Sequence, residues 1–197
     1  MKSTETKNAV MKAIRAEERS KYDDHYFRSE YWKEDLPGVS GNRGLSYDDI
    51  YHNARFSFLS NMLISRFEFE TILDAGCGTG ILVSELNREG KIAYGFDFSA
   101  SAAKCYRQRV KDRESRFLMA LISALPFEDS AFDLVFCSDV LEHLPFFDIE
   151  GAVREISRVS RRYVIATINL DNPYYYHPTI LSRKNWESIF VSCNLTR

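Results

Sequence analysis

Three glycines at alternate positions, Gly76, Gly78 and Gly80, stand directly behind the short apolar run Thr71-Ile72-Leu73, with Asp74 and Ala75 between. An apolar run of that length bounded by glycine reads as a buried strand. The glycines let the backbone turn sharply and approach a ligand with no Cβ in the way. A helical pattern begins immediately after Gly80, and the amides at a helix start point at whatever sits there. The spacing is GxGxG, one residue short of the GxGxxG turn that cradles a dinucleotide pyrophosphate. Asp74 strengthens the distinction, because an acid at the strand end repels a diphosphate and suits a cation such as an α-ammonium group.

The chain after this loop alternates. Ile92 to Phe96 reads as a second strand, and Ser99 caps a helix through about Val110. Phe117 to Ala120 and Phe132 to Cys137 read as strands three and four. A helix over about Ile149 to Val159 leads to a fifth strand at Tyr163 to Ile168, and Ser182 caps a last helix through about Val191. Short strands separated by helical crossovers imply α/β architecture: a mostly parallel sheet with helices on both faces, in three layers. Residues 1–66 form a different region, a helical, aromatic-rich leader or lid. A weak helical pattern covers about 4–20. Tyr22, Tyr26, Phe27, Tyr31 and Trp32 crowd together behind it. Residues 36–44 read as a loop, and Ser46 with Asp49 caps a helix reaching about Arg66. Residues 67–197 form the second domain. Cys193-Asn194-Leu195 reads as the start of a further strand, so the C-terminal strands are expected to be truncated.

A second motif, Tyr94-Gly95-Phe96-Asp97-Phe98-Ser99, places Asp97 at the end of strand two, 17 residues after Gly80. An acid there accepts hydrogen bonds from both ribose hydroxyls of an adenosine. Together with Leu125-Pro126-Phe127 and Ser138-Asp139-Val140-Leu141-Glu142-His143-Leu144, these residues resemble the class I, Rossmann-like S-adenosylmethionine-dependent methyltransferases, in particular the type 11 and type 23-like small-molecule groups. The resemblance covers about residues 68–193. It implies a seven-stranded sheet with one antiparallel strand, of which five strands and part of a sixth lie here. It implies S-adenosylmethionine as cofactor and S-adenosylhomocysteine as product. The implied cofactor residues are Asp74, Ala75, Gly76, Cys77, Gly78 and Gly80 in the loop, Asp97 and Phe98 beside the ribose, and Ser138 after strand four. Leu121 occupies the position where the family usually has an adenine-binding acid, so Ile122 and the hydroxyl of Ser123 are expected to hold the adenine. Arg55 and His52 in the leader are expected to meet the cofactor carboxylate, with Arg55 as its bidentate partner.

The acceptor end carries two candidate bases, His143 just past strand four and His177 after Tyr174-Tyr175-Tyr176. Charge limits the acceptor class. Residues 67–150 hold 8 basic and 15 acidic side chains, so this stretch repels a polyanion, and a small-molecule substrate is expected over nucleic acid. Four cysteines form no CxxC pair, and residues 1–21 contain no apolar signal segment. These features fit reduced thiols in a cytoplasmic protein with no metal. No apolar run is long enough to span a membrane. The oligomeric state is not legible. Two rivals predict different behaviour. A nicotinamide-dependent oxidoreductase requires the longer glycine spacing, and a non-catalytic domain binds the cofactor or its demethylated product without turnover.

Overall fold

The computed structural model describes residues 2–27, 53–109, 116–171 and 177–195. Ser46, His52, Tyr31, Trp32, the 36–44 loop and Tyr174–Tyr176 lie outside these residues. Among the described residues the order is α1 (Lys2–Ser20), α2 (Asp24–Phe27), α3 (Asn53–Arg66), β1 (Thr71–Ala75), α4 (Ile81–Arg88), β2 (Ile92–Asp97), α5 (Ala100–Arg109), β3 (Phe117–Met119), β4 (Phe132–Ser138), α6 (Phe146–Val159), β5 (Ser160–Thr167) and α7 (Arg183–Ser192). A 3-10 turn, Leu141–His143, sits between β4 and α6. None of these helices is long and apolar enough to cross a membrane.

The five strands form one sheet in the order β3-β2-β1-β4-β5, and every pairing is parallel. Side chains alternate across a strand, which sorts the apolar residues into two cores. Leu73, Ala75, Val135 and Cys137 face a layer built on α6 and α7, where Ile149, Val153, Ile156 and Trp186 are buried. Ile72, Leu134 and Phe136 face the opposite layer, where Leu63 of α3 and Leu82 and Leu86 of α4 are buried. The fold is the three-layer Rossmann-like architecture expected for this class.

Three boundaries differ from the sequence reading. Helix α6 starts at Phe146, because Pro145 (φ −54°, ψ 140°) supplies an extended entry and its missing N–H costs nothing at a helix start. Strand β5 starts at Ser160, where α6 passes straight into extended chain; a bulge there sets Phe132 opposite Ser160 and Leu134 opposite Tyr163. Cys193-Asn194-Leu195 is not a strand. Asn194 takes φ 65°, the Leu195 amide donates to the Phe190 carbonyl (3.0 Å), and the Asn194 amide donates to that of Val191 (3.1 Å). This pair of bonds is a Schellman cap on α7, with asparagine in the left-handed position glycine usually takes.

The amino end of β1 is anchored by Asp133, whose carboxylate accepts from the amides of Thr71 and Glu70 at 3.0 Å. These bonds, with help from Arg161, hold its pKa down at about 2. At the same end of the sheet, Arg158 of α6 ties the segment after β3. Its guanidinium donates to the carbonyls of Leu125 (3.0 Å) and Phe127 (2.7 Å) and to Asp129 (2.9 Å), and its partner Glu155 accepts from the Leu125 amide (2.8 Å). Arg158 to methionine keeps the stem and removes the fork. It should lower unfolding stability by about 1–3 kcal/mol, through the stranded carbonyls, read from the urea midpoint at unchanged m-value.

Candidate active site

In an open α/β sheet, ligands bind beyond the carboxyl ends of the strands where the winding reverses. Here the order reverses between β1 and β4. A cleft partly open to solvent lies at that place. Gly76 and Gly78 floor it, Asp97 and Phe98 form one wall, Leu121, Ile122 and Ser123 another, and Asp139, Val140 and His143 the third. Tyr22, Tyr26 and Phe27 of the leader complete it from above.

The loop takes its form from glycine. Gly76, Gly78 and Gly80 all have positive φ, at 77°, 51° and 76°. A Cβ on Gly76 would lie 2.5 Å from Cγ2 of Val140, and one on Gly80 would enter the Tyr106 ring. Within the loop, four amides are turned inward. Those of Gly76 and Cys77 both donate to the Phe96 carbonyl (2.9 Å), that of Gly80 to the Cys77 carbonyl (2.9 Å), and that of Gly78 to the Asp97 carboxylate (3.1 Å). A diphosphate needs such donors. A loop whose amides are already committed suits a ligand that brings its own donors.

The charges agree. Asp74 and Asp97 are both buried. Burial, joined by the charge of Asp97, raises the pKa of Asp74 to about 7. Burial raises that of Asp97 to about 6, against the lowering effect of the Ser99, Gly78 and Phe98 amides. Two acids destabilised in this way favour a ligand that is cationic or donates hydrogen bonds. Burial also pushes the Cys77 thiol well up, so it is no nucleophile.

The leader is joined to both sides of the cleft. The Tyr22 carbonyl accepts from Ser99 Oγ (2.8 Å), and its hydroxyl lies 2.7 Å from Nδ1 of His143. Arg15 of α1 grips Asp148 of α6 through Nε at 2.8 and 3.1 Å. Ser99 meanwhile caps α5, accepting from the Ser101 and Ala102 amides.

The residues singled out from sequence therefore fall into three places. Gly76, Gly78, Asp97, Phe98, Ile122, Ser123 and His143 line the cleft. Asp74, Ala75, Cys77 and Gly80 shape the loop without lining it. Arg55 and Ser138 meet at Asp139: Arg55 donates to its carboxylate at 2.6 Å, and Ser138 bonds the Thr167 hydroxyl at 2.7 Å. His177 packs on His143 with ring centres 4.6 Å apart. Sequence reasoning missed Arg15, Asp148 and the role of Asp139, which takes a left-handed φ of 54° at the end of β4. Arg15 and Asp148 stand 133 residues apart, and no local pattern connects them. An Asp-Val after a strand carries a weak turn signal, since aspartate tolerates that conformation.

Residues 73–165 match the family model described as a methyltransferase domain. The chain is 31% identical over 115 residues to an uncharacterized protein of Methanocaldococcus jannaschii, a match covering 57% of this chain and 48% of that one. It is 32% identical over 120 residues to the ubiquinone biosynthesis O-methyltransferase of Alkalilimnicola ehrlichii, covering 58% and 47%. The chain thus spans about half the length of these curated relatives. Its backbone is similar to magnesium protoporphyrin IX methyltransferase of Synechocystis PCC 6803, solved with bound S-adenosylhomocysteine, at a TM-score of 0.65 and 16% identity over 89% of this chain and 88% of that one.

Proposed function

Since residues 73–165 carry a class I S-adenosylmethionine-dependent methyltransferase domain, we propose that this protein binds S-adenosylmethionine in the β1–β4 cleft and transfers its methyl group to an oxygen or nitrogen of a small molecule. One observation carries this reading: a buried carboxylate, Asp97, faces a cleft floored by glycines whose amides are already satisfied. Asp97 accepts from the ribose hydroxyls. Asp74 favours the cationic end of the methionine part, and Arg55, beside Ser138 and Asp139, meets its carboxylate. Phe98, Ile122 and Ser123 hold the adenine, with the Leu121 side chain in place of an acid. Residues 1–66 act as a leader whose Tyr22 and α1 roof the cleft and keep out water. His143 and His177 stand at the acceptor end.

The methyl group of a sulfonium is already activated, so the protein's main task is to hold a nucleophile in line at about 3 Å and exclude water. The C–S electron pair returns to sulfur as the new bond forms, and the acceptor's proton leaves to a base or to solvent.

Calorimetry with S-adenosylhomocysteine and with NAD tests the cofactor reading, and transfer of a labelled methyl group to small-molecule extracts tests turnover. Tight NAD binding with no S-adenosylhomocysteine binding would overturn the proposal; binding with no transfer would favour a cofactor-binding module. The pH dependence is an independent check. Both aspartates have pKa values raised above the unfolded range, so the empty fold holds extra protons between about pH 4 and pH 7. The empty protein should lose stability as pH rises through that window. The cofactor needs ionised Asp97, so affinity should move the other way, gaining about tenfold per pH unit below about 6 and levelling above about 7. A flat profile from pH 5 to pH 8 would remove Asp97 from the binding step.

A further inference from the structure

Glu142 is the second residue of the 3-10 turn after β4, and its side chain is completely buried. Its Oε1 accepts from the Asn169 amide at 2.8 Å. Its Oε2, equally enclosed, has no hydrogen-bond partner among the described residues. A buried carboxylate oxygen without a donor is rare in a folded protein, and an unplaced ion is one of its ordinary explanations. Beside it stand His143, the next residue, and His177, 35 residues further on. One ligand atom from each of the three lies within 4.8 Å of the others. The two imidazoles meet edge to face, at 73°, rather than stacked. Tyr22 holds His143 through Nδ1, the kind of outer contact that orients a metal-binding histidine.

We propose that Glu142, His143 and His177 bind one divalent first-row cation of the zinc class at the acceptor end of the cleft. The donor set decides the ion: two imidazoles and one carboxylate suit zinc, cobalt or iron(II), whereas magnesium prefers an octahedron of oxygens. Three protein ligands leave a position open. His143 lines the cleft, so that position adjoins the space assigned to the acceptor. The catalytic meaning rests on the methyl-transfer reading. An acceptor hydroxyl bound to the cation gives up its proton to solvent more readily. Its oxygen lone pair then forms the bond to the methyl carbon while the C–S pair stays on sulfur. The sequence reading expects no metal because it looks for closely spaced cysteines, and this trio is brought together by the fold.

The test uses the full chain, stripped with a chelator and titrated with zinc sulfate by calorimetry and with cobalt(II) by visible spectroscopy. The expected result is one equivalent bound and cobalt d–d bands of a four- or five-coordinate site, with no thiolate charge-transfer band. His177→Ala should weaken zinc binding by at least about 100-fold, more than the loss of an outer contact alone. Glu142→Gln should do the same; because Glu142 is buried, its melting curve is recorded first, and His177→Ala decides if that variant fails to fold. No zinc binding, a thiolate band, or unchanged binding by His177→Ala would each overturn the site. S-adenosylhomocysteine binding is measured on the same metal-free protein, so a failure of the cation site and a failure of the cofactor reading are separately visible.

Discussion

Asp97→Ala should weaken S-adenosylhomocysteine binding at pH 8 by at least about 100-fold. Two hydrogen bonds to a charged acceptor contribute about 1.5–3 kcal/mol each, and every 1.4 kcal/mol is about a factor of ten. The loss has a second source. In the empty protein the same carboxylate accepts from the Gly78 amide at 3.1 Å and the Ser99 amide at 2.9 Å. Alanine therefore also slackens the glycine loop against β2. Asn at 97 separates the two effects, because its amide oxygen can still accept from backbone while the charge is gone. If Asp97→Asn retains the fold but binds about as poorly as alanine, the charge carries the affinity. Calorimetry on both variants, with urea melts alongside, reads the difference. Wild-type affinity in Asp97→Ala would move the ribose elsewhere and sink the cleft assignment.

Gly80→Ala should destabilise the protein by about 2–5 kcal/mol, near the upper range for a single substitution. About 1–2 kcal/mol comes from placing an L-residue at φ 76°. A further 1–3 kcal/mol, approximately, comes from overpacking, because the new methyl would enter the buried Tyr106 ring between α5 and the loop. Gly90 supplies the control. It has φ 81°, and a Cβ there would meet nothing within 4 Å. Gly90→Ala should therefore cost only the backbone part, about 1–2 kcal/mol. Urea melts of the two variants test the pair. Equal losses would mean that the Tyr106 contact yields freely, and the steric part assigned to Gly80 would be wrong.

Both effects trace to residues already visible in the chain. The alternation of short apolar runs with helical patterns set the α/β class, because a strand buried on both faces reads as apolar at every position and a helix reads at its own period. Gly76 and Gly80 were legible because a side chain there would need a left-handed backbone and would strike Val140 or Tyr106. Asp97 was legible because it stands at a strand end at the right interval from the loop. Ser99 and Ser182 were legible because a cap bonds to its own neighbours; the Ser182 hydroxyl accepts from the Asn185 amide at 3.3 Å. Cys193–Leu195 misread for the opposite reason. A helix cap with asparagine in the glycine position offers only a composition that a strand also uses.

What the sequence alone determined about this protein is its local grammar: which segments are strands, where the backbone must be bare, and which carboxylate ends β2. What only the tertiary structure decided is who meets whom. Arg15 finds Asp148, Tyr22 reaches both Ser99 and His143, Arg158 pins the segment after β3, and His177 comes to rest against His143 and the buried Glu142. The physical reason is range. Dihedral preferences, caps and periodicity act over a few residues and leave their mark in neighbouring letters. Side chains separated by tens of residues interact only after parallel strands and crossing helices carry them to the same end of the sheet.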